Sequence, residues 1–219
     1  MRQLSSANLS ALADRAIVAR DFLWIVARDR TSGESVADGL WSDAGTITAD
    51  VINPDTGLSV SRTWYGSGTL IQIDDIPLVA NVTVQQIAIR MSQINARVET
   101  LIRQYDVRQG RVEIYRGLFN PSTRALVAPA PCRFVGFVDQ CEIKTPRAGE
   151  VGEVVLTCTS HTQEMTRSNP DTRSHESQTR RSATDDFYRD VSVVASWEMF
   201  WGRSSGRLRS KKKRKLDED

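Results

Sequence analysis

Residues 82–119 read VTVQQIAIRMSQINARVETLIRQYDVRQGRVEIYRGLF. The order strand, single amphipathic helix, strand in this stretch decides the fold class. Val82 and Val84 share one face, whereas Ile87, Ile89 and Met91 share the other. That slip in phase near Gln85–Gln86 predicts a bulge, or a strand passing between two environments. Ile94, Val98, Leu101, Ile102 and Tyr105 then recur at helical spacing and predict a helix over 94–105. Val112, Ile114 and Leu118 alternate, which returns the chain to a strand over 111–119.

Working outward, the same alternation predicts strands over 17–28, 36–41, 46–52, 58–65 and 69–76 on the N-terminal side. On the C-terminal side it predicts strands over 124–128, 132–144 and 150–159. Turn chemistry separates them: Thr31–Gly33, Asn53-Pro54-Asp55-Thr56-Gly57, Gly66-Ser67-Gly68, Asn120-Pro121-Ser122-Thr123 and Pro146-Arg147-Ala148-Gly149. Leu9, Leu12, Ala13 and Ala16 follow the capping serines Ser5 and Ser6, so a helix of about three turns is expected to open the chain. Strands at regular intervals around one amphipathic helix predict a mainly β, α+β protein. Its expected centre is a β-barrel or sandwich with helical additions, not a doubly wound sheet.

The 219 residues are one or two domains, with the 40% hydrophobic and 26% charged content of an ordinary globular protein. No run of about 18 apolar residues occurs, so no transmembrane helix and no membrane partner are expected. Asp14, Arg15, Arg20 and Asp21 interrupt the apolar start, which is not expected to act as a secretory leader. Cys132, Cys141 and Cys158 form no CxxC pair, and each lies in a strand-like run. They read as small buried hydrophobes, with neither a zinc site nor a disulfide framework.

A second stretch, SHTQEMTRSNPDTRSHESQTRRSATDDFYRDVSVVASWEMFWG at 160–202, sets the domain organisation. It begins with about two dozen nearly apolar-free residues, too few hydrophobes to offset the entropy of ordering them. It then closes on Phe187, Tyr188, Val191, Val193, Val194, Trp197, Phe200 and Trp201. Such a run is either disordered or an arm laid on another subunit, and its return to an aromatic anchor favours the extended arm. The expected layout is a β-rich domain at 1–160, an extended arm at 161–184, an aromatic docking segment with a short helix at 185–202, and a basic tail at 203–219. Trp197 and Trp201, four apart, share a face if helical and are expected interface anchors. Trp24, Trp41 and Trp64 read as core or interface.

The tail carries Arg203, Arg207, Arg209, Lys211, Lys212, Lys213, Arg214 and Lys215 against three acids, a charge of +5, so residues 1–202 carry −3. Three readings of Lys211, Lys212, Lys213, Arg214 and Lys215 stand side by side: a solubilising end, a partner for an acidic neighbour, or sequence-blind phosphate contacts with nucleic acid.

Signatures of chemistry are thin. His161 and His175 lie in or beside the polar run, where nothing orients a base. No nucleophile elbow, zinc-protease, phosphate-loop or dinucleotide fingerprint is present. Asp185–Asp186 reads as the cap of a helix beginning at Phe187. Asp74–Asp75 reads as a strand end. No catalytic residue, metal site or cofactor is expected.

The order of several short elements resembles the tail-hub proteins of long-tailed bacteriophages and gene transfer agents. Leu40, Trp41 and Ser42 match an L-W-S turn, although Asp43 and Ala44 replace the usual glycine. Tyr65, Gly66, Gly68 and Leu70 match the glycine-rich element that follows. The R-G-L-F turn and Phe134, Gly136 and Asp139 continue the order. Arg180, Arg181, Ser182, Asp185 and Phe187 match the closing run, which ends in Trp201–Gly202. A related branch holds an iron–sulfur cluster on a cysteine-rich C-terminal domain; here Cys132, Cys141 and Cys158 all precede the C-terminal segment, so no cluster is expected. The resemblance covers residues 1–202 and leaves out the basic tail.

The resemblance implies a non-enzymatic virion component, a baseplate hub or distal tail ring in a phage tail tip, assembled in the host cytoplasm. It implies a homo-oligomeric ring, trimer or hexamer, with a tail-tube-like β domain. Its implied partners are the distal tail or tail-tube protein, the central tip protein and the tape-measure protein, with DNA only in passage. Arg180, Arg181, Asp185, Phe187, Trp197 and Trp201 become the interface candidates. Alternatives are a tail-completion or adaptor ring, a nucleic-acid-binding module working through the basic tail, and a hydrolase on the tail tip.

Overall fold

A computed structural model describes residues 4–66, 68–79, 81–150 and 152–196. It is mainly β, with one curled mixed sheet forming a half-barrel. The chain divides into two compact units, Met1–Arg167 and Ser168–Asp219. Trp197, Trp201 and the whole basic tail lie outside the described residues.

The first unit opens with helix α1 (Ser6–Ala13), where the Ser5 hydroxyl accepts from the Asn8 N–H at 3.3 Å. Among the described residues nine strands follow: β1 (Val18–Asp29), β2 (Ser35–Trp41), β3 (Thr46–Ile52), β4 (Ser59–Tyr65), β5 (Leu70–Ile73), β6 (Gln86–Ser92), β7 (Tyr105–Phe119), β8 (Cys132–Lys144) and β9 (Glu153–Ser160). Helix α2 (Ala96–Arg103) stands between β6 and β7. The strand order is β3-β4-β2-β1-β7-β8-β9-β6-β5. Every adjacent pair is antiparallel except β2 with β4, which meet through Leu40 and Tyr65.

Both faces of the central strands are buried, because their side chains alternate between two cores. On β1, Leu23 and Ile25 enter a large aliphatic core. Phe22 enters a smaller aromatic one, with Trp24 packed against it. The aliphatic core continues through Ile87, Ile89 and Met91 of β6 and Leu156 and Cys158 of β9, and α2 covers it with Val98, Leu101 and Ile102. The aromatic core gathers Phe22, Trp41, Trp64 and Tyr115 with Val51 and Ala130. The β3–β4 hairpin therefore closes over the opposite face of β1 and β7, which gives the sheet its curl.

Several expected boundaries move for local reasons. The predicted helix over 94–105 shortens to α2 because Asn95 caps it, accepting from the Arg97 N–H at 2.9 Å. That leaves Ile94 88% exposed. The phase slip near Gln85–Gln86 is the start of β6, not a bulge; Val82 and Val84 precede it and are exposed. The strand expected over 124–128 reduces to a single bridge between Leu126 and Phe119. Pro129 and Pro131 flank the stretch and offer no N–H to a ladder.

In the second unit, the run expected to be extended is in part helical. Helix α3 (His175–Arg181) is capped by Ser174, whose hydroxyl accepts from the Ser177 N–H at 3.2 Å. Just before it, at the end of the first unit, His161–Thr166 forms a 3-10 helix. No helix begins at Phe187: the chain there makes turns and then a short 3-10 helix, Val194–Ser196.

Candidate functional site

Strand β7 carries Arg111, Glu113 and Tyr115 on alternate positions, so all three polar groups point to the aromatic core. The Glu113 carboxylate is 5% exposed. It accepts from Arg62 Nη1 at 2.7 Å, from Tyr115 Oη at 2.6 Å and from Arg111 Nε at 2.9 Å. Arg111 also pairs with Asp55 at 2.7 Å. The Arg62 guanidinium lies 4.4 Å from the Trp24 ring centre, a cation–π contact. Burial, then the hydrogen bond to Glu113, pushes the Tyr115 hydroxyl far above the ordinary phenol range. A carboxylate engaged by two guanidiniums and a phenol is held by its partners, and the cluster ties β4 to β7.

A second polar latch joins α2 to the sheet. Arg97 donates from Nε and Nη2 to both oxygens of Asp38 at 2.8–3.0 Å. Its guanidinium lies 3.3 Å from the centre of the Tyr65 ring. Burial pulls the Arg97 guanidinium down, but the bonds and charge of Asp38 outweigh it and its net shift is upward. Near the ends of the central strands, Arg116 of β7 pairs with Asp21 of β1 at 2.6 Å, and Arg20 of β1 pairs with Asp43, just past β2, at 2.6 Å.

The L-W-S turn and the glycine-rich element, twenty-odd residues apart in sequence, interlock in the fold. Trp41 Nε1 donates to the Gly45 carbonyl at 2.9 Å, and the Gly66 N–H donates to the same oxygen at 2.8 Å. A Cβ on residue 66 would lie 1.8 Å from the Asp43 carbonyl oxygen, so only glycine permits this approach. Gly136 in the Phe134–Asp139 element obeys the same rule, since its Cβ would fall 2.1 Å from the Thr159 carbonyl oxygen on β9.

The interface candidates that are described lie in the second unit. Arg180 and Arg181 occupy the last turn of α3, where cations meet the negative end of the helix dipole. Arg181 pairs with Asp171 at 3.8 Å. Asp185 accepts from the Phe187 N–H at 3.1 Å and from the Gln178 side-chain amide, and these bonds hold its carboxyl below the usual range. Arg181 also donates to Gln178 at 3.3 Å, so Arg181, Gln178 and Asp185 form one connected group. Phe187 is 79% exposed, its ring 5.0 Å from Tyr188 and nearly perpendicular to it. Val191, Val193 and Val194 are also exposed. Trp197, Trp201, Lys211, Lys212, Lys213, Arg214 and Lys215 fall outside the described residues.

The remaining chemistry-bearing groups are scattered. His161 stacks on Phe137 at 5.5 Å, and His175 begins α3. Among the described residues, no cluster of three or more His, Cys, Asp or Glu side chains is arranged to hold a metal ion. The three cysteines are free thiols on strands, and burial pushes Cys158 up to about 12. The Glu113 cluster was missed by a sequence reading that followed the apolar positions of β7 alone. Its available signal was the Arg-x-Glu-x-Tyr alternation on the other face. No protein-family model matches the chain, and no curated protein matches it.

Proposed function

We propose that this chain is a structural ring component of a phage-like tail tip, a baseplate hub or distal tail subunit. The observation that carries the reading is the exposed apolar group Phe187, Val191, Val193 and Val194, directly after a long polar run. Grouped apolar side chains of this kind mark surfaces that a partner covers. The resemblance in element order supports the same reading, and the interlocked Trp41 and Gly66 elements give two of its motifs a common structural task. In this role the β domain is tail-tube-like, and the chain closes into a trimer or hexamer by heterologous contacts, one patch meeting a different patch on the next copy. The ring joins the tail tube to the central tip protein, contacts the tape-measure protein and surrounds the DNA path. Its polar clusters brace strands and perform no reaction. The basic tail favours a second reading, nucleic-acid binding through phosphate contacts.

Native mass measurement of the full chain, alone and with its tail neighbours, tests the proposal. Closed rings of three or six copies are expected. A strictly monomeric chain that binds DNA in a salt-dependent way would transfer support to the second reading.

A further inference from the structure

We infer that a pocket beside α1 receives the Phe187–Tyr188 pair of a second copy of this chain. The inference rests on the ring reading above and names the contact that would close the ring. The pocket measures about 280 Å³ and lies in the first unit, between α1 and the strand ends. Its apolar wall is Leu4 and Leu12 from the helix side, Leu118 of β7 and Pro131, and Asn8, Arg116 and Arg133 complete the lining. Its size lies at the lower end of the roughly 300–1,000 Å³ range of ligand pockets, room for one or two side chains of a docking segment.

Asn8 is the observation that points to an occupant. It is 2% exposed, lines the pocket, and its side-chain oxygen has no hydrogen-bond partner. A buried acceptor left unpaired destabilises the fold, so a donor that reaches it is favoured. The fitting occupant is therefore an apolar group that carries an O–H or N–H donor. Tyr188 is such a group, an aromatic ring ending in a hydroxyl, and Phe187 beside it supplies further apolar surface.

Charge complements shape. Arg116 and Arg133 line the pocket, Arg116 being paired with Asp21. Asp185, Asp186 and Asp190 surround the aromatic pair, with Arg189 as the cation among them, 3.9 Å from Asp186. The segment 185–190 thus brings net negative charge to a pocket lined by two arginines, one of them already paired with Asp21. A heterologous ring needs two different patches on each copy. The α1 pocket, in the first unit, and the Phe187–Tyr188 pair, in the second, are two such different patches.

The test replaces Phe187 with p-benzoylphenylalanine in the full chain. Nitrogen-15-labelled and unlabelled copies are mixed before assembly, irradiated and mapped by mass spectrometry. Adducts joining copies of different isotope content at residues 4–12 or 116–133 are expected. Leu12→Glu, on a half-exposed helix position, should lower their yield about tenfold while leaving the circular dichroism melt unchanged. Adducts confined to single-isotope chains, or an assembled ring whose adducts map elsewhere, would overturn the inference and leave the ring reading standing. A chain that sediments only as a monomer would overturn both.

Discussion

Removing the Glu113 carboxylate would leave the guanidiniums of Arg62 and Arg111 facing one another beside the Trp24 and Tyr115 rings. Breaking a buried pair costs far more than its net worth, because the surviving charge stays in a poor solvent. Glu113→Ala should therefore destabilise the chain by about 3–5 kcal/mol in chemical denaturation. The exposed i,i+4 pair Glu99–Arg103 provides the contrast. Arg103→Ala should change stability by no more than about 1 kcal/mol. A hydrogen bond from Arg20 holds Asp43 below its ordinary value, and one from Arg111 does the same for Asp55. A depressed carboxylate contributes stability that is fully present above its unfolded value of about 3.9 and is lost as pH falls through the folded value. Stability should thus hold from neutrality to about pH 4 and decline below it. Asp43→Asn should reduce the steepness of that decline in an acid titration followed by fluorescence.

At the scale of the element, α2 is the helix whose amphipathic face the sheet uses. Leu101 is 1% exposed under it, so Leu101→Ala should cost about 2–5 kcal/mol. Ile94 belongs to the same sequence stripe but lies before the cap, and Ile94→Ala should leave the denaturation midpoint almost unchanged. Equal losses at the two positions would mean that the helix extends to Ile94 in solution. Helix α3 shows the opposite case. It is polar on all sides, with no periodic apolar stripe to announce it. Only Ser174 followed by Glu176 hinted at a helix start, through the capping serine and an acid in the first turn.

For the whole molecule, the two units predict separable behaviour. Deleting residues 168–184, within the second unit, should leave a folded β domain with an unchanged melting transition that fails to enter rings or particles. A lost transition would place that segment in the domain core. Replacing Lys211, Lys212, Lys213, Arg214 and Lys215 with serine should spare folding and weaken assembly most at low ionic strength, since exposed charge contacts are screened by salt. The sequence by itself determined the β-rich class, the positions of β2, β3, β4 and β8, the strand placement of the cysteines and the helix under Leu101. These follow from local alternation, helical spacing and turn residues, which neighbouring residues dictate. Only the tertiary structure decided which strands adjoin, that β1 is buried on both faces, and that Trp41 meets Gly66. It also decided that Glu113 draws Arg62 across 51 residues of chain. Those contacts depend on how a twisted sheet curls, and no short window of sequence carries that information.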